Sequence, residues 1–507
     1  MKKLKFNFLS LILVGFVSLN PLYSQITEGH EDFDKMIATS IDSFEIPGLT
    51  IALIKDGDVV FENAYGLANE EKGSKVDLES NFAIASLSKA FTAAAIGMLV
   101  DDGKLNWNDR VQKHMPGFTL SDEYVASQMT VEDLLCHRSG FNTFDGDLLW
   151  YSTNYDRREI IERFQEYPMS YDFRTQYGYQ NIMFIIAGEI VEEVSGMSWE
   201  DFIEKRFFEP LEMTHSNATF EGFKVEDNIA LPHVKGIMED IRNYDNSGGA
   251  AAISSNVKDL THWIQMWLND GIYGDDTLLQ AATCRKLMEM HTPMPTSSFD
   301  RSHDINFKGY GLGWFLMAYG EHKVAHHGGG LPGYISKIFI LPNEKMGGII
   351  LTNGESSMPS AMMYASIDEF INTDSETEWI PTYIYFKKRY EEYLANREKG
   401  RVEKRGKAKA NIAVEKMLGE YEDKFYGKAK ISQVKGKLQI SLLPAADRFT
   451  SEMTHWQQNS YQIRFKDQFL PAGYVTFESN ADGEVIGFKI DLPNPDFHFH
   501  NLDFKKL

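Results

Sequence analysis

The sequence predicts an α+β domain followed by a small all-β domain, on three observations. Strand-like runs open and close the first three-quarters of the chain, with helical patterns between them. A mixed-charge helical stretch over 383–409 follows them. Beyond Leu418 the text becomes short alternating runs separated by Gly-Lys, Asn and Asp-Gly turns, enough for about eight strands.

The elements can be taken in order. Lys2, Lys3 and Lys5 precede an apolar run over 6–17, and Ser24 offers a small residue for cleavage, so residues 1–24 read as an export signal. The run is short for a membrane span, which needs about 20 apolar residues. Residues 32–44 have apolar positions at helical spacing. Residues 49–54 and 59–65 flank an Asp-Gly turn and predict a β-hairpin. A long helix begins near Ser86, where Ala90, Ala93, Ala94, Ala95, Met98 and Leu99 are good helix formers. Further helices are expected over 182–194, ended by Ser195-Gly196, and over 257–268, with Ser254 or Ser255 as N-cap. Strands return over 309–317, 335–341 and 347–352. The mixed signs of 383–409 suit a solvated linker helix.

The formal net charge is -22, and it becomes more negative once the leader lysines are gone. Such a surface repels phosphate backbones, which argues against nucleic acid as a partner. No later stretch is long enough to span a bilayer. The two cysteines, Cys136 and Cys284, have no spacing that demands a disulfide, and Cys136 lies in an apolar run as a buried thiol would.

A serine hydroxyl is a poor nucleophile until a base takes its proton, and a lysine three residues on shares its helix face. Ser86-Leu87-Ser88-Lys89 has that spacing at a helix start, near unpaired backbone N–H groups. Ser255 with Lys258 and Ser432 with Lys435 match it too, the first explicable as a cap and the second lying on a strand. Tyr179 and Asn181 have i, i+2 spacing and can face one cleft if the segment is extended, with Tyr244 and Asn246 as a look-alike pair. His327-Gly328-Gly329-Gly330 would let a substrate backbone approach at Gly329, while the N–H of Gly330 could join that of Ser86 in an oxyanion hole.

The order Ser-x-x-Lys, Tyr-x-Asn, His-x-Gly resembles the class C β-lactamase and DD-peptidase superfamily. The run Leu134-Leu135-Cys136-His137-Arg138-Ser139-Gly140 resembles its "LLTHTSG", and Ser247-Gly248-Gly249 before Ser254-Ser255 its "GG…S" stretch. The likeness covers residues 33–369. It implies an antiparallel sheet flanked by helices, with a largely helical subdomain. It also implies Ser86 as acylated nucleophile, Lys89 as base, Tyr179 as proton shuttle, and Asn181 as the contact to a substrate amide. His327 stands where class C β-lactamases have lysine, which suits the DD-carboxypeptidases and D-aminopeptidases better. The run from Gly419-Glu420-Tyr421 to Gly436-Lys437-Leu438 resembles a lipocalin-like barrel appendage.

The expected division is a signal over 1–24, a serine hydrolase domain over 25–372, a linker helix over 373–411 and a barrel over 412–507. The expected activity is acyl transfer to water, without metal or organic cofactor, on a D-residue peptide or a carboxylic ester. A β-lactamase is the alternative, disfavoured because histidine is a weaker fixed cation than lysine. A non-catalytic scaffold of the same fold would have lost the serine, lysine or tyrosine, and none is lost. The protein is expected outside the cytoplasm, periplasmic or released, acting on a small molecule or peptide; its oligomeric state is not readable.

Other residues carry smaller expectations. His326 and His327 should face opposite sides of a strand and so make a poor metal pair; His498 and His500 should share a face but lack further ligands. His137 reads as a hydrogen-bonded core histidine that fixes its loop. Tyr310 and Trp314 read as core or cleft-wall aromatics, and Trp150 and Tyr151 as equally suited to core or cleft.

Overall fold

The computed structural model describes residues 30–226, 228–371, 373 and 375–507. The expected export signal lies outside them. Both strands of the expected hairpin form, β1 (Gly48–Lys55) and β2 (Asp58–Asn69). Asp56 and Gly57 both have positive φ, the conformation that a two-residue hairpin turn requires.

A nine-stranded sheet is built around this hairpin. It adds β3 (Ser74–Lys75), β4 (Thr292–Met294), β5 (Ile305–Tyr310), β6 (Phe315–Tyr319), β7 (His322–Leu331), β8 (Tyr334–Leu341) and β9 (Met346–Thr352), in the order β4-β5-β6-β7-β8-β9-β1-β2-β3. Every pairing is antiparallel. The early hairpin thus meets the late strands, as β1 pairs with β9. One expectation fails here. Residues 309–317 are not one strand, because the chain turns between β5 and β6 at Gly313, whose φ of 81° suits glycine.

Both sheet faces are covered, which explains why β1 is apolar throughout. Leu49, Ile51 and Leu53 face a layer with helices α1 (Glu31–Phe44), α5 (Met358–Ile371) and the start of α6 (Trp379–Glu403). Ala52 and Ile54 face the larger core that holds α2 (Ser88–Asp101), α3 (Asn181–Ser195) and α4 (Val257–Leu268). Helix α3 ends at Gly196 in the left-handed conformation. Helix α4 is capped by Asn256, whose side chain accepts from the Asp259 N–H, and not by Ser254 or Ser255. Those serines form a short strand against Phe82–Ala83, so their backbone is committed one residue too early for a cap. Helix α6 starts earlier than the charged run because Trp379 and Ile380 are buried anchors.

The C-terminal region is a closed antiparallel barrel of eight sequential strands, β10 (Gly419–Asp423), β11 (Gly427–Val434), β12 (Lys437–Leu442), β13 (Thr450–Gln457), β14 (Ser460–Ile463), β15 (Gly473–Ser479), β16 (Val485–Asp491) and β17 (Asp503–Lys506). Pairing of β10 with β17 closes it, leaving no open edge. Aromatic side chains fill its interior, including Tyr421 and Phe488, with ring centroids 4.9 Å apart. His498 and His500 are not on a strand; Pro493 and Pro495 break the chain before them, and His500 sits in a 3-10 turn. Among the described residues no helix is long and apolar enough to cross a membrane.

The barrel is bolted to the helical part of the first domain. The buried Asp467 carboxylate accepts from the Tyr151 hydroxyl at 2.9 Å and from Arg242 at 3.0 Å. Tyr151 also stacks on Phe497, centroids 3.9 Å apart. His498 bonds Asp145 at 3.0 Å, and Asn501 donates to the Tyr167 hydroxyl at 2.7 Å.

Candidate active site

Ser86 sits in a single 3-10 turn, Ala85–Leu87, immediately before α2. The N-cap residues of the turn and of α2 are Ile84 and Leu87, so Ser86 is not the capping residue, and its hydroxyl instead accepts from Lys89. Ala85, just before it, has φ 53° without being glycine, a strained conformation that the surroundings must hold. Ser336 on β8 donates to the Ile84 carbonyl at 2.8 Å, and Ser88 donates to the Ala85 carbonyl at 2.7 Å. Gly329 completes the clamp: a Cβ there would lie 2.2 Å from the Ile84 carbonyl oxygen. The expectation for Gly329 is corrected accordingly. What comes close to it is the chain's own turn before Ser86, and it is buried away from the cleft surface.

Lys89, one turn along, is fully buried. Its Nζ donates to Ser86 Oγ at 3.1 Å, to Asn181 Oδ1 at 2.6 Å and to the Ala250 carbonyl at 3.0 Å. Gly249 lets that carbonyl-bearing segment approach, because a Cβ there would lie 2.3 Å from the Phe184 carbonyl oxygen. Burial pulls the ammonium down to about 7, against the opposing charge of Asp147. Asn181 links the two, its Nδ2 donating to Asp147 Oδ2 at 2.6 Å. Burial in turn pushes the Asp147 carboxyl up to about 7, opposed by Trp150, Asn181 and Lys89.

Tyr179 lines the same cleft, and its ring lies 4.9 Å from Lys89 Nζ. Burial raises its phenol well above the ordinary range, with the Ser86 hydroxyl pulling the other way. At neutral pH the phenol therefore keeps its proton, whereas a substantial share of Lys89 is free amine. His137 fixes this segment as expected: its Nδ1 accepts from the Gln180 N–H at 3.0 Å, and its ring lies 4.2 Å from that of Tyr179. Burial holds it neutral.

The strand motif divides by face, as alternation demands. His326, Gly328 and Gly330 border the cleft, while His327 is buried behind it. His327 donates from Nδ1 to the Gly328 carbonyl at 2.7 Å, and its Nε2 accepts from the Tyr310 hydroxyl at 2.9 Å. Burial first, and the Lys89 charge second, pull it down to about 3. The residue expected to contact substrate is thus a neutral strut under the wall. Strand β6 begins at Phe315, opposite His326, so the rest of β7 has no strand on that side among the described residues. Gly330, on this free edge, is exposed, and a Cβ there would meet only Ile335 Cδ1, at 3.4 Å.

The cleft has a volume of about 640 Å³. Ser86, Tyr179, Asn181 and Gly330 share it with residues that sequence reasoning missed: Asp147, His326, Lys337 and, from the barrel, Phe469, Asp496 and Phe497. Only Lys337 left a signal, as the one charge in the apolar strand β8. Trp150 lines the cleft, whereas Tyr151 belongs to the domain junction; Trp314 is core. Asn246, of the look-alike pair, is spent on the carbonyls of Trp150 and Tyr155. Both cysteines are buried and unpaired with each other.

Residues 33–369 match the Beta-lactamase family model, and residues 403–506 match a domain of unknown function, DUF3471. An unguisins hydrolase of Aspergillus campestris is 27% identical over 393 residues, covering 72% of this chain and 70% of its own. Penicillin-binding protein 4 of Amycolatopsis lactamdurans is 28% identical over 326 residues, 61% of this chain and 81% of its own. The octameric penicillin-binding protein homologue from Pyrococcus abyssi shares the fold with TM-score 0.61 at 21% identity, covering 94% of this chain and 99% of that one.

Proposed function

The chain belongs to the Beta-lactamase family, a family of serine hydrolases, and from that premise we propose that it cleaves an amide or ester through an acyl-enzyme on Ser86. The observation that carries the reading is the buried Lys89 amine, 3.1 Å from Ser86 Oγ and titrating near neutrality. Free amine at Lys89 accepts the Ser86 proton as Oγ attacks the carbonyl carbon. The backbone N–H groups of Ser86 and Gly330 face the oxyanion. Collapse expels the amine or alcohol, which takes its proton from Lys89 by way of the Tyr179 hydroxyl. Water then attacks the ester carbon as Lys89 takes one of its protons, and Lys89 passes that proton to Ser86 Oγ as the acyl–oxygen bond breaks and the acid leaves. Asn181 and Asp147 hold Lys89 in place between these steps.

A D-residue peptide or a carboxylic ester is the substrate class we favour. His327, neutral and buried, supplies no fixed cation of the kind that class C β-lactamases have at this position. Relatives named as a hydrolase and as a penicillin-binding protein support acyl chemistry in general. The lysine-led apolar start leads us to propose that the chain works outside the cytoplasm. The test is to incubate the protein with a fluorophosphonate, a fluorescent penicillin and a chromogenic acetyl ester, reading intact mass beside a Ser86→Ala control. A Ser86-dependent adduct or turnover is expected; turnover that survives Ser86→Ala overturns the reading.

A further inference from the structure

Lys337 stands on β8 directly across from Gly328 of β7. It is only 9% exposed, yet it borders the cleft that contains Ser86. The same cleft is lined by apolar Phe315, Leu331, Pro332 and Ile335 and by the carboxyl groups of Asp147, Glu355 and Asp496. The one hydrogen bond of Lys337 among the described residues goes from Nζ to His326 Nδ1, at 3.1 Å, and no described carboxylate lies within ion-pair distance of it. An ammonium buried without a counter-ion is disfavoured by desolvation, and an arriving anion would relieve it.

Two details say from which side the anion comes. A Cβ on Gly328 would lie 3.9 Å from Cδ and 4.0 Å from Nζ of Lys337. Any side chain at 328 would therefore grow across the ammonium, and glycine leaves the path from the free strand edge open. His326 accepts at Nδ1 and is held neutral by burial, next to the charge of Lys337. Its remaining proton is then on Nε2, a second donor on the same wall.

Resting on the acyl-transfer reading above, we propose that Lys337, with His326 beside it, is a subsite for a substrate carboxylate next to the Gly328–Gly330 edge. The favoured substrate is thus one with a free carboxylate near the scissile carbonyl. Carboxylate recognition resides on the neighbouring strand, where a cation is available, and not at His327, where none is.

The test uses the full chain with Ser86→Ala, so that ligands bind without turning over and the result is independent of the nucleophile assignment. N-acetyl-D-alanine and its carboxamide are titrated by calorimetry. The carboxylate is expected to bind at least ~10-fold tighter, as a charge-assisted bond implies. Lys337→Met should reduce that preference to within ~2-fold, and Lys337→Arg should keep most of it. An unshifted melting temperature checks that the variants are folded. Equal affinity for the two ligands, binding of neither, or a preference that survives Lys337→Met overturns the subsite. Ester turnover that persists in Ser86→Ala would overturn the nucleophile and leave this result standing.

Discussion

Ser86 with Lys89 and Ser255 with Lys258 carry the same four-residue spacing, and the fold uses them in opposite ways. Ser86 presents its hydroxyl at a strained turn, where it accepts from a buried lysine. Ser255 lies on a short strand, its hydroxyl against that of Ser216 at 2.7 Å. Lys258 leaves the surface of α4 to pair with Glu62 at 2.7 Å. In one tetrad burial drives the amine toward neutrality; in the other a half-buried amine is paired with a carboxylate. The spacing supplies proximity only when both residues share a helix face, and the solvent decides whether the amine can be a base.

The comparison can be broken most sharply at the two serines. Ser86→Ala should lower kcat by ~10⁴-fold or more, while Ser255→Ala should leave turnover unchanged and cost ~1 kcal/mol of stability through the lost Ser216 contact. Equal kinetic losses in the two variants would refute the distinction. Lys89→Met should cost about 10²–10⁴-fold, the range for a positioned base, measured as kcat/KM on the acetyl ester.

A pH profile sharpens the same point. The working form of Lys89 is the free amine, so kcat/KM should rise as pH passes upward through about 7 and then level off. When ionised, Asp147 favours the ammonium. Asp147→Asn keeps an oxygen for the Asn181 amide, removes that charge, and should move the rising limb to lower pH. A limb that stays in place would separate Asp147 from the base. The smallest effect belongs to Lys258→Ala, about 0.2–1 kcal/mol in denaturant unfolding, with no change in the profile.

Periodicity and turn residues made the hairpin, the α3 and α4 segments and the late strands legible, since each is fixed by local pattern. The turn between β5 and β6 was not, because Tyr310-Gly311-Leu312-Gly313-Trp314 reads as a continuous apolar run. Ordered motifs marked Ser86, Lys89, Tyr179 and Asn181. They could not tell which face of β7 borders the cleft: a one-residue difference puts His326 on the surface and His327 beneath it. The match of 328 with 337 is a register fact, set by the β7–β8 pairing, and no window of sequence contains it. The helix cap at Asn256 shows the same limit, because the commitment of Ser254 and Ser255 comes from Phe82 and Ala83, far away along the chain.

The barrel that Asp467 bolts to Tyr151 and Arg242 also brings Phe469, Asp496 and Phe497 to the cleft. Ser86 and Lys89 emerge from the ribosome early, and the last pieces of their enclosure come some four hundred residues later. The wall around Ser86 is thus completed only by the far end of the chain, and truncation before the barrel would leave the cleft open on that side.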